Sequence, residues 1–230
     1  MVDHVLQGTP DVPILLRRSG RARRISLRIS QLDGRVTLTL PIGVPEAEAM
    51  SFARQKESWI RGHLDQRVED ISVALGSEIP IQDVLHRVVQ GQGRRVVMED
   101  GLIMVPGPVD RIGARLKGHF KQMARVRLVG ASDAYSERLG KSYARISIRD
   151  TRSRWGSCSS SGTLMYSWRL IMAPDVVLDY VAAHEVAHLA EMNHSAAYWD
   201  GVQRIFGDYK PARRWLKEEG NMLHRYRFGD

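Results

Sequence analysis

Polar and apolar residues alternate along two short segments near the start of the chain. Residues 24–31 follow a period of two, and residues 36–40 follow it again after the turn pair Asp33-Gly34. Such alternation indicates strands with one buried face, and an Asp-Gly pair is typical of a hairpin turn. Apolar residues then recur at spacings of three and four from Pro45 to about Arg67, which predicts a helix.

Three further alternating segments follow, and the turns between them contain glycine. They cover residues 85–90, 95–99 and 102–105, and they predict an antiparallel meander. The Pro-Gly-Pro sequence at 106–108 then marks a boundary. We therefore expect an N-terminal antiparallel β-rich domain with one long helix at residues 1–108, and a second domain at residues 109–230.

The second domain is predicted to be mostly helical. Helical spacing extends from Val109 to near Gly140, and a second strongly helical segment covers Pro174–Asn193. Strands are expected at residues 143–149 and 162–171, the latter directly before the second helix. The predicted fold class is therefore α+β.

Composition narrows the class of protein. The chain has 230 residues, of which 43% are hydrophobic and 26% charged, as in an ordinary globular protein. Its single cysteine, Cys158, excludes an internal disulfide and a cysteine-based zinc module, and we expect it to be a small buried residue and not a nucleophile. No apolar run is long enough to span a bilayer, and the first residues do not resemble a secretory signal. We expect a cytoplasmic protein with no membrane partner.

The charge is the unusual part of the composition. The formal net charge is +8, and 28 of the 34 basic residues are arginine. Such a balance favours anionic partners, so a nucleotide or a nucleic acid is an alternative partner. One interpretation of the early arginines is a solvated hairpin face, and the other is a phosphate-binding patch. These residues are Arg17, Arg18, Arg21, Arg23, Arg24 and Arg28.

The strongest chemical signal is the sequence His184-Glu185-Val186-Ala187-His188. On a helix, His184 and His188 project from one face a single turn apart, close enough to bind the same metal ion. Imidazole suits zinc, and a catalytic zinc ion has three protein ligands and an open position. Glu185 is the candidate general base that takes a proton from the attacking water.

The third ligand is predicted to be His194. A straight helix could not bring it to the metal, so we expect the helix to end at Asn193, a residue type that tolerates the left-handed conformation. The histidine spacing is that of the metzincins, although Glu191 occupies their glycine position. Glu191 is therefore expected to support a ligand, and a carboxylate at Glu218 or Glu219 is the competing third ligand.

Around this motif the sequence resembles the YgjP-like metal-dependent hydrolases, which are related to the SprT-like and WLM zinc proteases. The resemblance implies a zincin-like catalytic domain, one zinc ion on His184, His188 and His194, and a catalytic Glu185. It covers most of residues 20–220. The segments that carry it, besides the histidine motif, are Arg21–Arg28, Arg154–Ser159, Trp168–Leu170, Ala173-Pro174, His194-Ser195 and Tyr198-Trp199.

The substrate contacts are less specified. In zincin folds, an edge strand pairs with an extended peptide, and residues 162–171 are the candidate strand. The alternative is that this segment is an ordinary core strand. Three arginines, Arg152, Arg154 and Arg169, are candidates for contact with the substrate or with the transition-state anion, or else form structural salt bridges.

The leading functional prediction is a zinc-dependent metallopeptidase that acts on polypeptide. Two alternatives come from other classes. The first is a metal-dependent nucleotide phosphohydrolase, in which arginines near the metal would bind phosphate oxygens. The second is a nucleic-acid-recruited protease or binding protein.

Overall fold

In the computed structural model, which describes residues 4–30, 33–65 and 69–229, the first alternating segments form a four-stranded sheet. The order is β1-β2-β4-β3, and the predicted hairpin of β3 with β4 is confirmed. The sheet is mixed, however, because β2 runs parallel to β4, which a purely antiparallel prediction missed. The strands are β1 His4–Leu6, β2 Val12–Arg18, β3 Ser26–Ile29 and β4 Val36–Leu40.

Two helices, α1 (Glu46–Gln55) and α2 (Glu57–Asp65), cover one face of this sheet. The prediction of one continuous helix was wrong, because the backbone of Lys56 leaves helical geometry with φ −101° and ψ 12°. Both helices still contribute fully buried residues, Ala53 and Ile60, to one core. Arg67, the predicted end of the helix, lies outside the described residues.

The chain divides into two units by its internal contacts, Met1–Glu69 and Asp70–Asp230. The sequence placed this boundary at residues 108 and 109 instead. The difference arises because Ile103 and Val105, from the strands before that point, are buried in one core with Ile112 and Leu116. Residues 70–108 therefore belong to the C-terminal unit.

A second four-stranded sheet opens the C-terminal unit. It is not a simple meander, because β7 and β9 are parallel neighbours and the order is β6-β7-β9-β8. A separate pair joins the two ends of the unit, with β5 (Ile71–Ser72) parallel to β13 (Tyr226–Arg227). The strands of the sheet are β6 Glu78–Ile81, β7 Val84–Gln90, β8 Val97–Glu99 and β9 Leu102–Val105.

The longest element is α3 (Ile112–Leu139), as the periodicity predicted. Every fourth residue from Ile112 to Leu128 is fully buried, which places one stripe of the helix in the core. The helix is capped by Gly140, whose φ of 72° lies in the left-handed region that glycine adopts readily.

A three-stranded sheet and three helices complete the unit. The sheet order is β10-β12-β11, so β12 is central, which agrees with the core-strand alternative and not with an edge strand. The predicted strand at 162–171 is also shorter, since β12 ends at Ser167 and a 3-10 helix covers Trp168–Met172. The elements are β10 Arg145–Arg149, β11 Gly156–Cys158, β12 Thr163–Ser167, α4 Asp175–Ala187, α5 Ala196–Phe206 and α6 Lys210–Glu218, followed by a 3-10 helix at Gly220–Arg225.

The fold is thus of the mixed α+β class, with several small sheets. In the described parts of the chain, no helix has the length and apolarity needed to cross a membrane.

Candidate metal centre

Helix α4 carries the histidine motif through the interior of the C-terminal unit. Most of its residues are buried, so its direction is fixed by packing on α3 and α5 as well as by its own hydrogen bonds. His184 and His188 lie one turn apart, with their ring centroids 5.2 Å apart. The helix ends at Ala187 and His188 is its C-cap, so the prediction that it extends to Asn193 was wrong.

A tight turn brings His194 back over the same face of α4. The amide of Glu191 donates to the carbonyl of Ala187, and Ser195 then caps α5 by accepting from the amide of Tyr198. The chain makes this exit without a left-handed residue at Asn193, contrary to expectation. The early end of α4 provides the reversal that the sequence had assigned to Asn193.

The three histidines form a cluster suitable for a metal ion. One ring nitrogen from each of His184, His188 and His194 lies within 4.8 Å of the others. The Nε2 atoms of His184 and His194 are 3.2 Å apart. Two nitrogen ligands of a tetrahedral zinc ion are separated by about 3.4 Å, given Zn–N bonds of about 2.0–2.1 Å. The spacing of these donors therefore fits a small divalent ion.

Hydrogen bonds fix the orientation of the imidazole rings. Nδ1 of His188 lies 3.0 Å from the backbone carbonyl of Glu191. A carbonyl can only accept, so Nδ1 carries the proton. Nε2 is then unprotonated, and its lone pair can bind a metal ion. The backbone carbonyl of Glu191 thus orients the His188 ring, and its carboxylate side chain is exposed. Nδ1 of His184 lies 3.3 Å from the hydroxyl of Tyr180.

Tyr198 contacts all three histidines. Its ring stacks on His188 at 4.5 Å and lies edge-on to His194 at 4.8 Å between centroids, while its hydroxyl donates to the carbonyl of His184 over 2.9 Å.

Burial lowers the pKa of His184 to about 3, helped by the charges of the neighbouring imidazoles, and burial also lowers the pKa of His188. Neutral imidazole is the form that binds metal.

Glu185 lies beside the cluster with only 5% of its surface exposed. Burial raises the pKa of its carboxyl to about 8, and the positive charge of Arg154 opposes the rise. Its side chain packs directly against the backbone of Gly156 at the start of β11, where an added Cβ would lie 2.5 Å from Oε1. Only glycine leaves room for the carboxylate in this position.

A cavity of about 500 Å³ opens over the histidines and Glu185, bordered by β11 and by Arg154. Within the described residues, β11 pairs with β12 alone, so its other side is a free edge. Cys158 at its end is half-buried, and burial followed by the negative charge of Glu185 raises the pKa of its thiol. Cys158 is therefore less buried than the sequence predicted, and its raised pKa favours the protonated thiol, which is a poor nucleophile and a poor metal ligand.

The model of the YgjP-like metallopeptidase domain matches residues 23–219 of the sequence. This chain belongs to the YgjP-like metallopeptidase family. The family resemblance predicted from the motifs is therefore confirmed, and the histidine cluster with its buried carboxylate lies inside the matched region.

Solved structures add little to this assignment. Two chains match, among them the crystal structure of the metallopeptidase zymogen of Pyrococcus abyssi abylysin. The sequence identity is 20%, the match spans 40% of this chain and 95% of that chain, and the TM-score is 0.37. None of the curated proteins matches this family member.

The three candidate arginines lie in different surroundings. Arg154 is exposed and lines the cavity over the cluster. The guanidinium of Arg169 is buried and donates to Asp150 and to the carbonyls of Leu223 and Tyr226, which are structural contacts. Arg152 is exposed, and its charge adds to burial and to the charge of Arg169 in lowering the pKa of His224.

The competing carboxylate ligands do not join the cluster. Glu219 is the C-cap of α6 and borders a separate cavity with Trp215 and Met222, and Glu218 is exposed at the end of the same helix.

The sequence analysis missed two residues that contact the site, Gly156 and Tyr180. The contact of Gly156 with Glu185 joins distant segments and leaves no local signal, whereas Tyr180 lies four residues before His184 and shared helical spacing could have found it.

Proposed function

We propose that this protein is a zinc-dependent, zincin-like peptidase in which His184, His188 and His194 hold one zinc ion and Glu185 is the general base. The observation that carries the proposal is the shared cavity. Three metal-competent imidazoles and a buried carboxylate line it together, beside the free edge of β11.

The donor set supports zinc over harder ions. Imidazole nitrogen suits zinc, copper, iron and nickel, whereas calcium and magnesium require oxygen ligands. Three protein ligands leave one position open, as in catalytic zinc sites. Bound there, zinc would polarise the scissile carbonyl and make a water molecule nucleophilic near neutral pH.

The residues of the chain supply the remaining steps. Glu185 accepts a proton from the water whose oxygen adds to the carbonyl carbon, and it then delivers that proton to the amine nitrogen as the C–N bond breaks. Its burial keeps the carboxylate away from bulk solvent, so the proton is exchanged with the reactants. Arg154 lines the cavity, and in this proposal its positive charge stabilises negative charge on the substrate oxygen.

The substrate is proposed to pair with β11 in an extended conformation. The amide of Ser159 donates to the carbonyl of Thr163 in β12, and the carbonyl of Trp155 accepts from the amide of Ser167 in β12. Because bonding alternates along an antiparallel pair, Gly156 and Cys158 direct their N–H and C=O groups to the free edge. Backbone pairing requires a polypeptide, and it explains how affinity arises with few side-chain contacts. N-methylation of alternate substrate amides should therefore raise KM.

The test is the variant Glu185→Gln, assayed with the zinc-loaded protein on a fluorogenic peptide library. We expect kcat to fall by about 10²–10⁴-fold, because the amide cannot accept the proton, while the zinc content stays at one ion per chain. The matched control is Glu191→Gln, which changes an exposed side chain of the same charge nearby and leaves the carbonyl that orients His188. The control should retain full activity.

Two results would contradict the proposal. Unchanged peptide hydrolysis by Glu185→Gln would remove the general base, and loss of zinc from that variant would make Glu185 part of the metal site and not a separate base. The unmodified, zinc-loaded protein is also assayed for phosphate release from a nucleotide panel. Turnover there, without peptide cleavage, would establish the phosphohydrolase alternative instead.

A further inference from the structure

The N-terminal sheet has an outward face that the peptidase proposal does not use. Helices α1 and α2 cover the other face, where Ile14, Leu38 and Leu40 are buried. Because side chains alternate along a strand, the neighbours of these residues point away from the helices. Across β2, β4 and β3, one row of that face is Arg17, Thr39 and Ser26, and the next is Leu15, Thr37 and Arg28.

The arginines in and beside this face are exposed and have no ion-pair partner among the described residues. Other arginines of the same unit are used by the fold: Arg18 pairs with Glu46, and Arg61 with Glu57. The unpaired group comprises Arg17, Arg21, Arg23, Arg24 and Arg28, and we call it, with the threonines and serine of the two rows, the arginine face.

Acidic residues do not offset this charge locally. In residues 17–35 the sequence has seven arginines and one acid, Asp33, and the carboxylate of Asp33 binds Arg35 at 3.0 Å. Concentrated positive charge of this kind is unfavourable unless anions neutralise it. Arginine binds phosphate oxygens bidentately, and threonine and serine hydroxyls also donate to them.

We propose that the arginine face binds the sugar-phosphate backbone of a nucleic acid. Arg17 lies on β2 and Arg28 on β3, two strands that flank β4 and are about 10 Å apart at a strand spacing of about 4.8 Å. The two arginines are also offset by two residues along the strands, so their side chains can reach different phosphates. No aromatic residue lies in the two rows of this face, so base stacking is not available there. Binding should therefore depend on charge and not on base sequence.

The chemistry of the face favours a nucleic acid over an anionic membrane. A membrane-binding surface combines basic residues with exposed aromatic or aliphatic side chains that enter the lipid. Here each of the two rows carries one arginine beside small hydroxyl side chains, Leu15 is only partly exposed, and the exposed aliphatic Val5 lies on β1, outside these rows. Hydroxyl and guanidinium donors together match a chain of phosphates.

The test measures fluorescence anisotropy of a labelled 20-base-pair DNA duplex, and of one of its strands, with the full chain at 50–200 mM salt. The logarithm of the binding constant should fall linearly with that of salt, by about 0.9 for each phosphate neutralised. The double variant Arg17→Glu/Arg28→Glu should bind at least about tenfold more weakly and show a slope smaller by about 2.

The matched control is Arg54→Glu/Lys56→Glu, which makes the same charge change at exposed positions of the same unit on and after α1. It should lose less than about threefold in affinity. Equal loss in both variants would show that only net charge matters and would overturn the proposal. So would no binding at 50 mM salt, or tighter binding to vesicles of anionic lipid than to DNA. Glu185→Gln should bind like the unmodified chain, so the result is independent of the peptidase proposal.

Discussion

Replacing Gly156 with alanine should disable the proposed general base without disturbing the metal ligands. A Cβ at this position would lie 2.5 Å from Oε1, 2.6 Å from Cγ and 2.8 Å from Cδ of Glu185. Carbon atoms in contact are normally about 3.5–4.0 Å apart, so the side chain must move by about 1 Å. Glu185 is buried on a packed helix, which leaves it little room to do so.

The size of the effect follows from this displacement. Misplacing a catalytic group by about 1 Å costs on the order of 10²-fold in rate. Overpacking a buried site costs about 1–3 kcal/mol of stability, which the unit should survive. The φ of Gly156 lies outside the left-handed region, so the alanine backbone itself is unstrained. We therefore expect a kcat about 10²-fold lower, with KM and zinc content nearly unchanged.

The assay is steady-state hydrolysis of one peptide by the zinc-loaded variants, with zinc measured in the same samples. Gly201→Ala is the control, because a Cβ there meets open space on α5. A Gly156→Ala protein with full kcat would show that Glu185 tolerates the contact, and our account of its position would be wrong. Loss of zinc would also refute it, since the histidines should not move.

Three other outcomes are expected. Arg169→Ala should lower the free energy of unfolding by about 3–5 kcal/mol in urea titrations, because Asp150 and two carbonyls lose a buried partner. The control is Arg149→Ala at an exposed position, which should change the free energy of unfolding by less than about 0.5 kcal/mol. Burial, aided by nearby arginines, lowers the pKa of His224 to about 4, so the unfolded chain takes up the proton of this residue first as the pH falls. The contribution of His224 to the loss of stability between pH 6.5 and 4 should be about 3 kcal/mol, and a His224→Gln protein with the same pH dependence as the unmodified chain would refute this. Tyr198→Phe keeps the ring contacts and should lower the free energy of unfolding, measured by thermal unfolding, by only about 1 kcal/mol. A larger decrease would show that the hydroxyl contributes more than the one hydrogen bond to the His184 carbonyl.

The chemistry of the site was predictable because it depends on short-range spacing. Two histidines four residues apart on a helix share a face whatever the rest of the fold does, and His194 follows within a few residues. The exact path was not predictable. Helix α4 ends at Ala187, where the chain turns through contacts of Glu191 and Ser195, and spacing alone could not distinguish this from a later left-handed exit.

Strand order was predicted poorly because it depends on pairing between distant residues. The alternating pattern located β12 but could not show that β10 and β11 flank it, so the sequence left open whether this strand lies at an edge or in the core. The parallel pairs of β2 with β4 and of β7 with β9 were missed for the same reason. Arg169 illustrates the point for side chains, since two of its acceptors lie more than fifty residues away.

The pairing of β5 with β13 has a consequence for how the molecule can be divided. Ile71 is the register partner of Tyr226, and Asp70 binds Arg227 at 2.9 Å, so the first and last strands of the C-terminal unit lie side by side. The two ends of this unit are therefore neighbours in space. A short linker could join these strands and new termini could be opened at a surface turn, a circular permutation that native folds with adjacent ends tolerate.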